Sequence, residues 1–280
     1  MEWIVNISNI RKNIEKAISL SNVPIALMFK EFYKDLWYHI DTNGIRCFGL
    51  SLPKSICYSL GKASKINNGS FVVNKKNALD AISCGLQTFY IPINANDNRE
   101  GLSIDMAVSL AKFIKEHCNK ALIMGAITSG CMNDKYPHKK ALRFIDAETN
   151  MVMDGLSIGG SFWLGKSVPE FVSELRIGEY MLFGTIPFYK GENVGWNGIE
   201  IETSVIATYP ERKQILIDAG YYHADMMECR LVNDKSEIVG CSSEYTILSV
   251  QKEYRVGNKI RFIPNYKSLV KMCNGKVRYE

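Results

Sequence analysis

The chain has 280 residues, enough for one large domain or two ordinary ones with a sizeable core. Its 46% hydrophobic and 22% charged residues are typical of a globular protein and exclude a disordered, collagen-like or coiled-coil chain. The 34 basic and 29 acidic residues give a net charge of +5 without any basic run. We therefore expect no nucleic-acid partner.

The N-terminus and the hydropathy pattern predict a cytoplasmic protein with no membrane association. Glu2 stands where a signal peptide would be basic, and no apolar run reaches the roughly 18 residues that a membrane span needs. The eight cysteines form no CxxC pair and have no metal-ligand spacing. We expect reduced, mostly buried thiols and no bound metal.

The first part of the chain alternates apolar runs with segments of helical period, which predicts βα units around a parallel sheet. Helices are predicted to begin near Ser8, Lys75 and Ser103, the last with an apolar stripe through Ala107, Leu110 and Ile114. The predicted strands are 23–29, 45–50, 70–73, 87–93, 121–127 and 151–156.

From Arg176 onward the pattern changes to strands separated by turn residues, which predicts an all-β domain. We therefore expect an α/β domain over residues 8–175 and a β domain over 176–280. Residues 1–7 resemble a strand, and whether they join the β domain is left open. The predicted strands of this part are 179–183, 199–209, 213–219, 227–232, 245–250 and 259–263.

Lys30 directly follows the apolar strand 23–29. In a parallel α/β barrel, such a residue stands at the C-terminal rim, where these barrels keep their active sites. A partly desolvated lysine there has a lowered pKa and can act as a nucleophilic amine that forms an imine. Many lysines simply end strands in water, so this position alone decides nothing.

Seven segments in sequence order resemble the alanine racemase family of fold-type III enzymes that use pyridoxal 5'-phosphate (PLP), and most closely its ornithine and lysine racemase branch. Arg99-Glu-Gly101 matches a family REG motif, Ser157-Ile-Gly-Gly-Ser161 resembles SGGNS, and Leu175-Arg-Ile-Gly-Glu179 resembles LRxGE. The other matching segments are 2–13 with Phe29-Lys30, 125–131, 240–245 and 265–269.

The resemblance implies a TIM-like α/β barrel with a C-terminal β domain, working as a PLP-dependent amino-acid racemase. It implies that Lys30 binds PLP covalently and exchanges a proton, that Arg176 faces the pyridine nitrogen, and that Arg99 lies near the phenolic oxygen or the substrate carboxylate. A fixed guanidinium at the ring nitrogen restrains electron withdrawal, which suits proton exchange. The implied phosphate site consists of Ser157, Gly160, Ser161, Gly178 and Tyr266.

Racemisation needs a second acid-base group on the opposite face of Cα. In the family this is a tyrosine supplied by the β domain of the partner subunit, and the segment Gly220-Tyr-Tyr-His-Ala-Asp225 lies at the matching place. We assign the role to Tyr221, with His223 as the alternative because its reference pKa is near neutral. The resemblance further implies that Ser242 and Ser243 contact the amino-acid substrate and that the protein is a homodimer with shared sites.

Two departures from the family pattern stand out. About fourteen residues separate Lys30 from the second strand, and no full βα unit fits between residues 64 and 70, so we expect a barrel shortened by one unit. Lys34 occupies the position of a family tyrosine. An aldolase or decarboxylase of this fold, or a non-catalytic PLP-binding protein, is the alternative function. Taken singly, each implied site residue also has an ordinary explanation as a turn, core or salt-bridge residue.

Overall fold

The protein is described by a computed structural model that covers residues 1–29, 36, 39–40, 46–49, 68–94, 101–127, 145–185 and 195–280. The helices are α1 (Ile7–Leu20), α2 (Lys75–Ser83), α3 (Ile104–His117) and α4 (Glu179–Phe183). The strands are β1 (Glu2–Val5), β2 (Ile25–Phe29), β3 (Arg46–Gly49), β4 (Asn68–Phe71), β5 (Thr88–Pro92), β6 (Leu122–Ile127), β7 (Gly155–Gly159), β8 (Val172–Ile177), β9 (Ile199–Tyr209), β10 (Gln214–Ile217), β11 (Arg230–Leu231), β12 (Glu237–Cys241), β13 (Thr246–Ser249), β14 (Lys259–Ile263) and β15 (Val277–Tyr279).

Strands β2 to β8 form a closed parallel barrel in chain order. Each strand pairs with the next, and β8 pairs with β2, with Arg176 opposite Ala26. Because every strand is bonded to both neighbours, this ring of described residues closes with seven strands. A TIM barrel has eight strands, so the ring of described residues has one strand fewer.

Side chains that alternate along the strands fill the barrel interior. Ala26 of β2, Tyr90 of β5, and Met124 and Ala126 of β6 form a buried cluster, against which Met28 packs. The apolar run of β2 is buried on nearly all positions, as expected for a strand covered on both faces.

Helices α2 and α3 begin where side chains cap their first turns. Asn74 accepts a hydrogen bond from the Asn77 amide at 2.9 Å, and Ser103 accepts one from the Met106 amide at 3.4 Å. The buried face of α3 consists of Ala107, Leu110, Ala111 and Ile114. This is the stripe that the helical period predicted.

The second sheet is antiparallel, in the strand order β11-β14-β9-β10-β13-β12. The long strand β9 is its centre, since it pairs with β10 on one side and β14 on the other. Strand β1 also pairs antiparallel with β9, with Trp3 opposite Ile201, and parallel with β15. Residues 2–5 therefore join this sheet.

The chain divides into two compact units. We call Ile14–Met181 the barrel unit, and Met1–Asn13, Leu182–Gly184 and Gly195–Glu280 the β unit. The expected division between residues 175 and 176 falls inside β8, a strand of the barrel. The change from one unit to the other comes a few residues later.

Several sequence predictions of strands were wrong. β8 was missed, because the polar residues Ser173, Glu174 and Arg176 interrupt its apolar pattern. Residues 179–183 were predicted as a strand but form α4, in which Tyr180, Met181 and Leu182 are fully buried, so no periodicity distinguishes helix from strand. β7 begins four residues later than the predicted strand 151–156, and only Arg230–Leu231 of the predicted strand 227–232 is extended.

The cysteines only partly follow the expectation of reduced, buried thiols. Cys229 is a buried free thiol whose pKa burial raises to about 12, and Cys118 and Cys241 are free and half-buried. Cys84, in contrast, is disulfide-bonded.

Among the described residues, no helix combines the length and apolar character needed to cross a membrane.

Candidate active site

Two of the predicted site residues, Lys30 and Arg99, lie outside the described residues. Lys30 is the residue that follows Phe29, the last residue of β2. Strand β2 is the neighbour of β8, and β8 is the neighbour of β7. Because all three run parallel, their carboxyl ends meet at one end of the barrel, the end at which barrel enzymes bind their substrates.

The segment Gly159-Gly160-Ser161 leaves the barrel at the carboxyl end of β7. The Gly160 amide donates to the Arg176 carbonyl at 3.0 Å, which joins the segment to β8. Gly160 has φ +122°, a backbone conformation that side chains disfavour, so glycine is required here. Ser161 is buried and starts a short 3-10 helix, Ser161–Trp163.

Hydrogen-bond donors in this region fit a phosphate group. The Ser161 hydroxyl accepts from the Tyr180 amide at 3.1 Å, which leaves its own proton to donate. The amides of Ser161 and of the buried Gly178 have no acceptor in the part of the chain that the structure describes. Buried N–H groups without a partner are rare, and an anion satisfies them.

Arg176 is almost fully buried in β8, with 3% of its surface exposed. Its guanidinium donates to the Ser157 carbonyl through Nη1 and to the Ile127 carbonyl through Nη2, both at 2.5 Å. These two carbonyls, on β7 and β6, fix the plane of the guanidinium. Burial lowers the pKa of Arg176 to about 10, and the nearby Glu174 opposes this, so the side chain remains charged near neutral pH.

The Ser157 side chain is bonded inside the barrel. Its hydroxyl donates to Glu174 Oε1 at 2.6 Å, and its carbonyl accepts from Arg176. Alternation along β7 explains this placement, since it turns Ser157 toward the interior two residues before the strand ends. The predicted contact of Ser157 with the cofactor remains a prediction.

Sequence reasoning missed Glu174 and Tyr90. The Tyr90 hydroxyl donates to Glu174 Oε1 at 2.9 Å across the barrel, and Glu174 is 1% exposed. The available signal was a carboxylate two residues before Arg176, which strand alternation places on the same face as the arginine. Its partner Tyr90 stands 84 residues away in sequence and carries no such signal.

In the β unit, two predicted groups of residues come together. The Tyr221 amide donates to the Ser242 carbonyl at 2.9 Å, and the Tyr222 amide donates to the Ser243 carbonyl at 2.8 Å. A Cβ on Gly220 would lie 2.5 Å from the Ser242 carbonyl oxygen, so this close approach requires glycine. Tyr221 is 43% exposed, which leaves its phenol accessible.

The polar side chains around Tyr221 are partly committed to local structure. Ser242 Oγ accepts from the Tyr245 amide at 3.3 Å and lies 3.2 Å from the Tyr245 carbonyl, so it closes a turn, whereas Ser243 is exposed. His223 Nδ1 accepts from the Gly220 amide at 3.2 Å. Burial and the positive charges of the N-terminal amine and Lys271 lower the His223 pKa. Because Nδ1 accepts a hydrogen bond, the proton of the neutral ring is on Nε2.

Tyr266, the last predicted phosphate residue, belongs to the β unit. It starts the 3-10 helix Tyr266–Asn274 and is half-buried. Its ring packs edge-on against Phe183, with ring centroids 6.5 Å apart. Its predicted contact with phosphate remains a prediction.

The chain has the fold of the alanine racemases and related fold-type III enzymes. The biosynthetic alanine racemase from Pseudomonas aeruginosa matches with a TM-score of 0.71 at 11% sequence identity, covering 100% of this chain and 99% of that chain. Alanine racemase from Bartonella henselae, solved with covalently bound pyridoxal phosphate, matches with a TM-score of 0.68 at 13% identity over 100% and 99% of the two chains.

Other comparisons extend beyond alanine racemases. D-threonine aldolase from Filomicrobium marinum matches with a TM-score of 0.65 at 15% identity, covering 98% of this chain and 89% of that chain. The sequence is 27% identical to ornithine racemase from Acetoanaerobium sticklandii over 133 residues, and this match covers 37% of the chain and 38% of the relative. No protein-family profile matches the chain.

Proposed function

We propose that this protein is a PLP-dependent racemase that interconverts L- and D-amino acids. One observation carries the proposal: the adjacent strands β7 and β8 bring the Gly159-Gly160-Ser161 segment and the buried Arg176 to one part of the barrel. In the sequence, Lys30 directly follows β2, the strand that pairs with β8 on its other side. The alanine racemase fold and the partial match to an ornithine racemase support this proposed function.

The described residues fit PLP as the cofactor. The amides of Ser161 and Gly178, for which the described residues offer no acceptor, suit a phosphate dianion together with the Ser161 hydroxyl. Arg176 offers a fixed positive charge for an unprotonated ring nitrogen. PLP, when bound, supplies an electron sink that stabilises negative charge at Cα.

Two side chains of the protein then handle the Cα proton. In this proposal the Lys30 amine removes or returns the proton on one face, and the Tyr221 phenol acts on the other. His223 is the alternative to Tyr221, because its neutral ring carries a proton on Nε2. Arg99 is proposed to lie near the phenolic oxygen of PLP or the substrate carboxylate. Ser242 and Ser243 are proposed to contact the substrate, and Tyr266 the phosphate. We further propose a homodimer in which Tyr221 acts on the site of the partner subunit.

Solvent deuterium tests the proposal. The protein loaded with PLP is incubated in D2O with single L-amino acids, ornithine, lysine and alanine among them, and the products are analysed by chiral chromatography and mass spectrometry. We expect the D-enantiomer, carrying one deuterium at Cα, and no fragment. Lys30→Ala abolishes this exchange, whereas Lys16→Ala, an exposed lysine of α1, leaves it intact.

The same experiment separates the alternatives. An aldolase is an alternative function, since D-threonine aldolase shares this fold. An aldolase of this kind releases an aldehyde and glycine from a 3-hydroxy amino acid. A decarboxylase releases carbon dioxide. Either fragment would overturn the racemase assignment, and bound PLP without deuterium in any amino acid would indicate a non-catalytic PLP-binding protein.

A further inference from the structure

The segment 220–225 of the β unit carries both candidates for the second proton-transfer group, Tyr221 and His223. It closes into a turn, because the amides of His223 and Ala224 donate to the Gly220 carbonyl at 2.9 and 3.2 Å. Ala224 is fully buried, whereas Tyr221 is 43% exposed. The body of the segment is therefore anchored in the β unit, while the phenol of Tyr221 remains accessible.

The 3-10 helix Tyr266–Asn274 holds this segment at two points. The hydroxyl of the buried Ser268 accepts from the Asp225 amide at 2.9 Å. The ammonium of the half-buried Lys271 donates to the Tyr221 carbonyl. Residues three apart lie on the same face of a 3-10 helix, so Ser268 and Lys271 face the segment together.

Both backbone polar groups of Tyr221 are therefore hydrogen-bonded. Its amide donates to the Ser242 carbonyl at 2.9 Å, and its carbonyl accepts from Lys271. These two bonds fix the orientation of the Tyr221 backbone, and with it the direction in which the side chain leaves the chain. The bond from Lys271 has a charged donor, and such bonds are about twice as strong as those between neutral groups.

Proton transfer depends steeply on the position of the acid-base group. A displacement of about 1 Å can lower the rate roughly a hundredfold. The Tyr221 hydroxyl stands at the end of a long, rigid side chain, so a small rotation of the backbone becomes a larger displacement of the hydroxyl. A bond that holds the Tyr221 backbone therefore affects the reaction without contacting the reacting atoms.

We propose that Lys271 is a positioning residue: by binding the Tyr221 carbonyl, it holds segment 220–225 in the orientation that proton transfer at Cα requires. The proposal rests on the proposed function, in which Tyr221 or its alternative His223 exchanges this proton. Lys271 acts on either candidate in the same way, through the backbone of the segment that carries both.

Hydrogen-deuterium exchange of the full chain without PLP tests the contact itself. The five consecutive amides of residues 221–225 all have acceptors, so they are protected in the wild type. We expect Lys271→Met, which keeps the apolar stem and removes the donor, to speed their exchange by about tenfold. Lys271→Arg, which keeps a charged donor, and Lys267→Met, which changes an exposed lysine of the same 3-10 helix, should exchange like the wild type. Unchanged exchange in Lys271→Met would overturn the proposal.

A second measurement, on the protein loaded with PLP in D2O, tests the consequence for the reaction. In the proposed reaction, the Lys30 amine can take a proton from one enantiomer, exchange it with solvent and return deuterium to the same face. This labels the enantiomer without inverting it, whereas inversion also needs the second group. We expect Lys271→Met to raise the ratio of labelled substrate to inverted product by about tenfold. Lys271→Arg and Lys267→Met should keep the wild-type ratio.

The ratio distinguishes positioning from a loss of folded protein. Fewer folded molecules lower both rates equally and leave the ratio unchanged, so an unchanged ratio in Lys271→Met would overturn the proposal. Should Lys271→Met fail to fold, Lys271→Gln, which replaces the charged donor with a neutral one, takes its place. A raised ratio in that variant supports the proposal, and a wild-type ratio overturns it.

The two measurements also separate this proposal from the proposed function. Racemisation by the wild type, with amide exchange and ratio both unchanged in Lys271→Met, would leave the proposed function intact and overturn the role of Lys271. A wild type that racemises no amino acid would overturn the proposed function and the positioning role with it. Amide exchange would then still show whether Lys271 holds the segment.

Discussion

Gly160 combines a backbone constraint with a functional position. Its φ of +122° strains any other residue, and it lies between Gly159 and the Ser161 donors proposed for phosphate. Gly165 also has a positive φ, +75°, with open space where a Cβ would stand. Substitutions at Gly160 and Gly165 therefore distinguish an effect of backbone strain from an effect on ligand binding.

We predict that Gly160→Ala and Gly165→Ala each destabilise the protein by about 1 to 3 kcal/mol. Only Gly160→Ala should also weaken PLP binding, by at least tenfold, because it displaces the amide of Ser161. Urea unfolding measures the first effect, and titration of PLP followed by absorbance measures the second. Equal PLP affinity in the two variants would remove the 159–161 segment from the phosphate site.

His223 makes stability depend on pH in a defined direction. Its folded pKa lies below the ordinary 6.5, chiefly because of burial. The unfolded chain therefore binds the proton more tightly, and the free energy of unfolding falls as the pH decreases through 6.5, then levels off below the folded pKa.

His223→Asn removes this contribution while keeping an acceptor for the Gly220 amide. We expect lowering the pH from 7.5 to 5 to reduce the free energy of unfolding of the wild type more than that of the variant. This change should occur near the pKa of an ordinary histidine. Urea unfolding at a series of pH values provides the measurement. A difference that does not change with pH would mean that His223 is not held neutral.

Among the helices and strands, the sequence predicts those that are defined by a periodic pattern of neighbouring residues. β9 and β14 were predicted with their observed bounds, because alternation and turn residues define them, and α3 was predicted from its apolar stripe. β8 was missed because Glu174 and Arg176 look like exposed residues, although both point into the barrel. Their polar groups are hydrogen-bonded to Tyr90, Ser157 and Ile127, which lie on other strands. The local sequence pattern around β8 does not reveal these partners.

The roles of the candidate site residues remain predictions. The structure places Arg176, Ser161 and Gly178 on adjacent strands or at their ends. A motif gives the position of Ser157 along the chain but not the side of the strand to which its hydroxyl is bonded. A backbone hydrogen bond joins Tyr221 to Ser242.

The cap of α2 gives a prediction about one element. Asn74→Ala removes the acceptor for the Asn77 amide, and we expect a loss of about 1 kcal/mol in the free energy of unfolding. Asn74→Asp keeps an acceptor and should stay near wild type. Both variants should bind PLP normally, because α2 contributes no predicted site residue. Chemical unfolding together with PLP titration checks both points, and a PLP-binding defect in Asn74→Ala would contradict the placement of the site.

At the scale of the whole molecule, the proposed machinery is divided between the two units of the chain. The barrel unit holds Arg176, Ser161 and Gly178, and the β unit holds Tyr221, His223 and Tyr266. If the β unit contributes to the active site of a partner subunit, a single chain does not contain a complete active site.

Mixing inactive variants tests this arrangement. Lys30→Ala and Tyr221→Phe are each expected to lose nearly all racemisation, while subunits that exchange after mixing build one site with both wild-type residues in each heterodimer. Equal mixing should therefore restore about one quarter of wild-type activity. Sedimentation confirms the dimer in parallel. No recovery after demonstrated exchange of subunits would place Tyr221 and Lys30 in the same chain or remove Tyr221 from the reaction.

Reduction with borohydride shows directly whether Lys30 binds PLP. The protein is incubated with PLP, reduced, digested and analysed by mass spectrometry for a pyridoxyl group. We predict a single stoichiometric adduct on Lys30, absent from Lys30→Ala and retained in Lys16→Ala. A pyridoxyl group on another lysine, or none on a protein that folds and is saturated with PLP, would contradict it.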